Sequence, residues 1–239
     1  MSTALATLAA LPPGLVWPAG RLARPAEAGL PTGFAALDAE LPGGGWPRGA
    51  LIELLAEARG IGELGLLLPL LRTAPAERWI AWVAPPHRPY APALAAAGVA
   101  VEQLLLLTPG SHAETLWTIR QALASGGCAM VLAWPARVDA AALRRLQLAA
   151  EDSLTPLFLF RPPAAARQPS PAILRLQLTA TDDALSVRIL KRRGPVLAAP
   201  IRLPVRELSG PTLSRLAHDA LVRPDPARLA AADLHAGRG

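Results

Sequence analysis

Short apolar runs alternate with helix-forming segments between residues 50 and 160 of this chain. This alternation predicts right-handed βαβ units and a mostly parallel sheet flanked by helices. The apolar runs are almost continuous, which is typical of strands buried on both faces. The predicted strands are Ala50–Leu55, Trp79–Val83, Gln103–Leu107, Cys128–Trp134 and Pro156–Phe160, and the predicted helices are Glu63–Leu71, Tyr90–Ala97, Ser111–Ala124 and Asp139–Asp152.

Three residues within these elements carry specific expectations. Ser111 and Glu114 have the spacing of a capping box, in which each side chain satisfies a backbone N–H at the start of a helix. Glu53 interrupts an apolar strand, and a carboxylate there requires either a partner or an exposed sheet edge.

The sequence changes character after Arg161. The segments Ile173–Thr179 and Ala184–Leu190 alternate apolar with polar residues, which predicts a β-hairpin that extends the sheet as half-exposed antiparallel strands. The fold class is therefore α/β, with an arm or linker over residues 1–31, a core domain over residues 32–204 and a tail over residues 205–239. We expect the tail to be mobile or ordered only on a partner.

Composition excludes several classes of protein. Hydrophobic residues make up 52% of the chain, which is enough for a large core. Cys128 is the one cysteine, so a disulfide framework and a cysteine-built metal site are excluded, and the four histidines lack ligand spacing. Apolar runs such as Leu64–Leu71 are much shorter than the roughly 20 residues of a membrane span. We expect a cytoplasmic protein without a signal peptide, metal or cofactor.

The net charge of +6 is concentrated in one segment. Residues 161–204 hold seven arginines and Lys191 against two aspartates, which by themselves give +6. This segment is a candidate contact for DNA phosphates or for an acidic partner, with a solvated strand end as the alternative. Its candidate residues are Arg161, Arg167, Arg188, Lys191, Arg192 and Arg193.

Other residues have a functional and a structural interpretation. Arg144 and Arg145 lie on a helix otherwise rich in leucine, where they form either an exposed polar face or part of a partner interface. Tryptophans are expected as core or loop anchors at Trp46, Trp79, Trp82, Trp117 and Trp134.

The motif Thr32-Gly33-x-x-x-Leu37-Asp38, followed by Gly43-Gly44-Gly45, resembles the entry to the nucleotide core of RecA-type recombinases. The phosphate loop that should follow has the pattern G-x-x-x-x-G-K-[ST], in which the lysine reaches the phosphates and the hydroxyl holds magnesium. Here the matching stretch ends in Gly60-Ile61-Gly62-Glu63, without the lysine or the hydroxyl. Gly60, Gly62 and Glu63 therefore form either a residual anion site or a tight turn in which Glu63 complements the helix dipole.

Two further positions depart from the RecA pattern. A catalytic glutamate is expected soon after the second strand, where this chain has Ala84-Pro85-Pro86-His87. A magnesium-organising aspartate is expected after an apolar strand, where the chain has Ala133-Trp134-Pro135. The resemblance thus implies a RecA-like fold that has lost ATP hydrolysis and is not an enzyme.

A more specific resemblance is to the ImuA family, the RecA-like accessory proteins of bacterial mutagenic translesion-synthesis cassettes. The residues that carry it are Leu41–Ala50, Gly60–Leu64, Trp82–His87, Leu132–Pro135, Leu143–Ala150 and Leu190–Gly194. It implies a non-catalytic, SOS-induced protein that is associated with the nucleoid during DNA damage. The implied partners are an ImuB-like inactive Y-family polymerase homologue and an error-prone C-family polymerase, with RecA and DNA as further candidates and no membrane.

Two other functions remain open from the sequence. A SulA-like inhibitor of cell division also has a RecA-related fold without ATPase function, and it would bind the division GTPase. An ATPase with an atypical phosphate loop would need Arg59 to replace the missing lysine. The oligomeric state is not predicted.

Overall fold

An eight-stranded sheet organises the computed structural model, which describes residues 28–57, 60–182, 184–194 and 199–205. The strands are β1 (Leu51–Ala56), β2 (Trp79–Val83), β3 (Leu104–Leu107), β4 (Cys128–Ala133), β5 (Leu157–Arg161), β6 (Leu174–Ala180), β7 (Leu185–Lys191) and β8 (Ile201–Leu203). The helices are α1 (Ala35–Asp38), α2 (Glu63–Leu71), α3 (Ala91–Ala96), α4 (His112–Ala124) and α5 (Ala140–Ser153), with 3₁₀ turns at Val101–Gln103 and Pro163–Arg167.

The sheet has the order β3-β2-β4-β5-β1-β6-β7-β8. The first six strands in this order pair in parallel, and β7 and β8 add an antiparallel edge. The predicted α/β class with a mostly parallel sheet and a C-terminal hairpin is therefore confirmed. β1 lies between β5 and β6 and therefore has a paired strand on each side.

Helices cover both faces of the sheet because successive residues of each buried strand point to opposite faces. Leu51 packs in one apolar cluster with residues of α4 and α5, whereas Ile52 packs in the other with residues of α1, α2 and α3. The result is a three-layer arrangement in which β1 is buried on both sides.

The predicted elements from residue 50 to residue 191 are present with boundaries shifted by one or two residues. Ser111 and Glu114 form the predicted capping box: the Glu114 N–H donates to Ser111 Oγ at 3.2 Å, and the Ser111 N–H donates to Glu114 Oε2 at 3.0 Å. This reciprocal pair satisfies two backbone donors that the first turn of α4 leaves open.

The C-terminal part of the sheet differs from the prediction in three ways. β6 pairs in parallel with β1 and antiparallel with β7, so β7 is the one described strand that runs against the others. β8 was not predicted, because three residues are too few to show a periodicity. The segment after β5, for which no helix or strand was predicted, forms a 3₁₀ turn at Pro163–Arg167 that buries Ala165.

The end of the predicted N-terminal arm packs against the core. Leu30 pairs with Trp46 in an isolated antiparallel bridge, and Trp46 is fully buried. Gly45 permits this close approach, since a Cβ atom there would lie 2.2 Å from the Leu30 carbonyl oxygen. Nearly all of the arm and of the C-terminal tail lies outside the described residues, so those parts of the predicted domain division stay predictions.

The described helices include none that is both long and apolar enough to cross a membrane.

Candidate functional site

The loop from β1 to α2 occupies the position of the predicted phosphate loop. Gly62 precedes α2 with φ of 103°, in the left-handed region that glycine tolerates. The Gly60 N–H donates to Glu63 Oε1 at 2.8 Å, and only 8% of Glu63 is exposed. A carboxylate of the chain itself thus takes the backbone donor that a phosphate would use. The geometry favours a tight turn with an internal carboxylate over a residual anion site; Ala58 and Arg59 lie outside the described residues.

Aromatic side chains fill the neighbouring carboxyl end of the sheet. Trp134, directly after β4, stacks on Phe160 with ring centroids 4.4 Å apart and ring planes 5° apart. Trp82 lies beside Trp134 at a centroid distance of 5.5 Å. The carboxyl ends of parallel strands are where open α/β sheets usually bind ligands. At this edge the protein presents a packed aromatic cluster in place of a magnesium-organising aspartate.

A buried ion cluster joins the centre of the sheet to the segment after β5. Glu53 is fully buried on β1, where its Oε1 pairs with Arg161 Nη1 at 2.5 Å and its Oε2 accepts a hydrogen bond from Arg175 Nε. The carboxylate therefore has one arginine on each neighbouring strand, β5 and β6. The expectation that Glu53 requires a partner is confirmed.

Both arginines also bind the backbone and side chains around the 3₁₀ turn. Arg161 Nη2 donates to Gln168 Oε1 at 2.9 Å, and Arg175 Nη2 donates to the Ala165 carbonyl oxygen at 2.7 Å. Two acceptors thus fix the turn against the sheet, since each guanidinium presents several donors in a rigid plane. The cluster is structural: it has no open face for a substrate and no neighbouring nucleophile among the described residues.

This cluster corrects the interpretation of Arg161 as a surface contact. Its side chain is only 6% exposed and its charge is neutralised by Glu53, so an external phosphate cannot reach it. The sequence analysis also missed Arg175 as the second partner of Glu53. Glu53 signals a partner in the sequence, but the pairing of β1 with β6 is what identifies that partner as Arg175.

The remaining basic residues of the segment do not form one uniform patch. Lys191 Nζ donates to the Ser170 carbonyl oxygen at 2.8 Å, and Arg192 Nη1 pairs with Glu40 Oε2 at 2.9 Å. Arg167, Arg188 and Arg193 are exposed. These three remain the candidates for a contact with DNA or an acidic partner, which stays a prediction.

The helical face formed by α4 and α5 exposes one of the tryptophans that were predicted as core or loop anchors. Trp117 is 60% exposed, so its assignment as a core or loop anchor is wrong. Trp79 is also half-exposed, whereas Trp46 and Trp82 are buried as expected. Arg145 lines a groove next to Trp117, and Arg144 is exposed beside it.

The described residues form neither a metal-binding cluster nor a reactive thiol site. No group of three or more His, Cys, Asp or Glu side chains in residues 28–57, 60–182, 184–194 and 199–205 could hold a metal ion. Cys128 is buried, and this burial raises the pKa of its thiol despite a hydrogen bond from Ser125 and the nearby charge of Arg78. A protonated, buried thiol is a poor nucleophile.

Comparison with known proteins gives a consistent result over the first part of the sheet. A family model described as "Cell division inhibitor SulA" matches residues 53–155, from within β1 to just past α5. Residues 53–155 resemble a cell division inhibitor. The match covers less than half of the chain.

Individual SulA proteins show the same similarity. The chain is 32% identical over 114 residues to the cell division inhibitor SulA of Photorhabdus laumondii subsp. laumondii, which is 47% of this chain and 64% of that protein. It is 35% identical over 98 residues to SulA of Edwardsiella piscicida, which is 41% of this chain and 58% of that protein. The chain therefore spans less than two thirds of the length of either relative.

A crystal structure of SulA from Pseudomonas aeruginosa is 29% identical and covers 46% of this chain and 96% of the solved one. The TM-score of 0.39 is too low for this superposition to carry a structural argument.

These similarities correct the main functional prediction. The sequence analysis placed the chain in the ImuA family of translesion-synthesis accessory proteins, but the family model and both relatives are SulA cell division inhibitors. The translesion function is therefore contradicted, and the SulA-like alternative is the better supported one. Similarity to an inhibitor agrees with the expectation that the chain is not an enzyme. The partners that the ImuA resemblance implied are not tested by these comparisons.

Proposed function

We propose that this protein inhibits cell division by binding the division GTPase and blocking its polymerisation. The observation that supports this is the SulA family match over residues 53–155. That segment contains the β1–β4 part of the sheet with α2 to α5, which is most of the described core. The predicted induction by DNA damage belongs to the same proposal, because an inhibitor of division must be absent from undamaged cells.

We propose further that the scaffold is RecA-like and works without nucleotide chemistry. The position of the phosphate loop between β1 and α2 supports the first part. The Glu63 carboxylate on the Gly60 N–H supports the second, because a second negative charge at this helix N-terminus would be repelled. The protein would then act by stoichiometric binding.

Polymerisation of the purified division GTPase, followed by light scattering after addition of GTP, tests this function. The folded full-length chain should reduce the scattering in proportion to its concentration, with complete loss near an equimolar ratio. The GTPase alone and the GTPase with heat-unfolded chain serve as controls. Unchanged polymerisation with a several-fold excess of folded chain would contradict the proposal.

Isothermal titration with ATP and Mg²⁺ tests the absence of nucleotide chemistry. No heat of binding is expected at millimolar ATP. The matched variant Glu63→Gln removes the negative charge and keeps an acceptor for Gly60. Micromolar binding with turnover in the wild-type chain would show instead that the protein is an ATPase.

A further inference from the structure

A groove between α4 and α5 combines exposed apolar side chains with arginines that form no ion pair with any of the described residues. Its volume is about 240 Å³, and its apolar walls include Leu116 and Trp117 of α4 and Leu146 of α5. Arg120 of α4 and Arg145 of α5 line the same groove. None of the described residues forms an ion pair with either arginine.

Exposed apolar side chains on this face extend beyond the groove. Trp117 is 60% exposed, although Ile119 and Leu123 of the same helix are buried in the core. Leu148 is 57% exposed and follows Arg145 by one turn of α5. A contiguous patch of large apolar side chains exposed to solvent often marks a surface that binds another molecule.

We infer that this α4–α5 face binds an acidic amphipathic helix of a protein partner. The groove runs between two helices that are parallel to each other, because both connect parallel strands by crossovers of the same hand. An amphipathic helix places apolar side chains at intervals of three and four residues into such a groove. Tryptophan and arginine are the side chains that contribute most to binding at interfaces of this kind.

The charge of the face selects an acidic partner. Arg120 and Arg145 are exposed where they line the groove, and Arg144, next to Arg145 in α5, is exposed as well. Two acidic residues of these helices already have partners within the protein. Glu114 is part of the capping box of α4, and Glu151 accepts a hydrogen bond from Gln147. Asp152 lies two turns beyond Arg145. Carboxylates at the edges of an incoming helix would pair with the arginines and speed its association.

A second copy of this chain fits the face less well. In a two-fold symmetric dimer the same patch is present on both subunits, so the arginines of the two copies would be brought close together. Like charges juxtaposed in an interface are unfavourable. An acidic partner forms the same apolar contacts without this repulsion.

The inference does not rest on the proposed inhibition of division, because it concerns a surface that the GTPase need not use. The probe is a fluorescein-labelled designed peptide of about 15 residues, long enough for a helix, with leucine and phenylalanine on one face and glutamate on its flanks. A twin peptide carries lysine in place of every glutamate. Fluorescence anisotropy with the full-length chain measures both.

The acidic peptide should bind at least about ten-fold more tightly than its lysine twin, and added salt should weaken it. Trp117→Ala should weaken binding by about 30-fold, the loss typical of a central tryptophan. The double variant Arg120→Glu/Arg145→Glu should remove the preference for the acidic peptide. All three positions are exposed, so circular dichroism should show unchanged folding.

Matched control variants on other surfaces distinguish binding at this groove from non-specific binding of the peptide. Trp79→Ala removes another half-exposed tryptophan, and Arg88→Glu reverses another exposed arginine; neither should change the affinity by more than about two-fold. The inference is overturned if both peptides bind equally, if neither binds, or if the controls lose as much affinity as the groove variants. A concentration-dependent dimer that Trp117→Ala abolishes would overturn it in favour of a second copy.

Discussion

Replacing Glu53 by glutamine should remove much of the stability of this protein. The substitution keeps the shape of the side chain but leaves Arg161 and Arg175 without a counter-charge, and both are more than nine-tenths buried. Breaking a buried ion pair by removing one partner costs about 3–5 kcal/mol, because an uncompensated charge remains in a medium of low dielectric constant. Domains typically unfold with a free energy of about 5–15 kcal/mol, so this loss is a large fraction of the total.

The loss should stay within that range although two arginines are affected. Each guanidinium keeps other acceptors: Arg161 donates to Gln168 and Arg175 to three backbone carbonyl oxygens. These bonds limit the cost but do not neutralise the charge. Arg161→Met should therefore cost less than Glu53→Gln, since the carboxylate would still pair with Arg175.

Urea unfolding followed by circular dichroism measures these effects. With a slope of about 2 to 3 kcal/mol per molar urea for a chain of this size, Glu53→Gln should lower the midpoint by about 1–2 M. Glu40→Gln is the matched control, because it breaks the more exposed pair with Arg192 and should cost less than about 1 kcal/mol. If Glu53→Gln and Glu40→Gln had the same unfolding midpoint, the buried cluster around Glu53 would not stabilise the fold more than the exposed pair does.

Two smaller predictions concern α4 and the buried thiol. Ser111→Ala removes one half of the capping box and should cost about 1 kcal/mol, which thermal unfolding detects; an unchanged melting temperature would show that the cap is not formed in solution. Burial raises the pKa of Cys128, so at alkaline pH the thiol ionises first in the unfolded chain. Stability should therefore be complete below the ordinary thiol pKa and decline above it, and Cys128→Ala should remove this decline. Iodoacetamide should modify the folded chain slowly, and rapid modification would contradict the burial.

The sequence predicts those parts of the fold that local patterns determine. The apolar runs define β1 to β5 within one or two residues, since each has the short length of a strand and is bounded by turn-forming residues. Ser111 and Glu114 define the start of α4 because the cap depends on neighbouring residues alone. The parallel pairing of β6 with β1 joins residues about 120 positions apart, and no local pattern reports it.

The candidate site is less predictable for the same reason. Glu53 shows in the sequence that it requires a partner or an exposed edge, but only the pairing of three strands identifies Arg161 and Arg175 as its partners. Trp117 was predicted, with the other tryptophans, as a core or loop anchor. Its exposure follows from the orientation of α4, which points Ile119 and Leu123 inward and leaves Trp117 outside.

The carboxyl end of the sheet and the α4–α5 face differ in whether the protein's own side chains already occupy the groups that a ligand would contact. At the carboxyl end of the sheet, Glu63 takes the backbone donor at the start of α2, and Trp134 packs on Phe160 where a metal-binding carboxylate would be needed. These intramolecular contacts would have to break before a nucleotide could bind. The α4–α5 face presents the opposite case, since Trp117 is in water and Arg145 lacks an ion-pair partner among the described residues. Binding there removes apolar surface from water without breaking an internal contact. A protein partner is therefore bound more favourably on this helical face than a nucleotide at the end of the sheet.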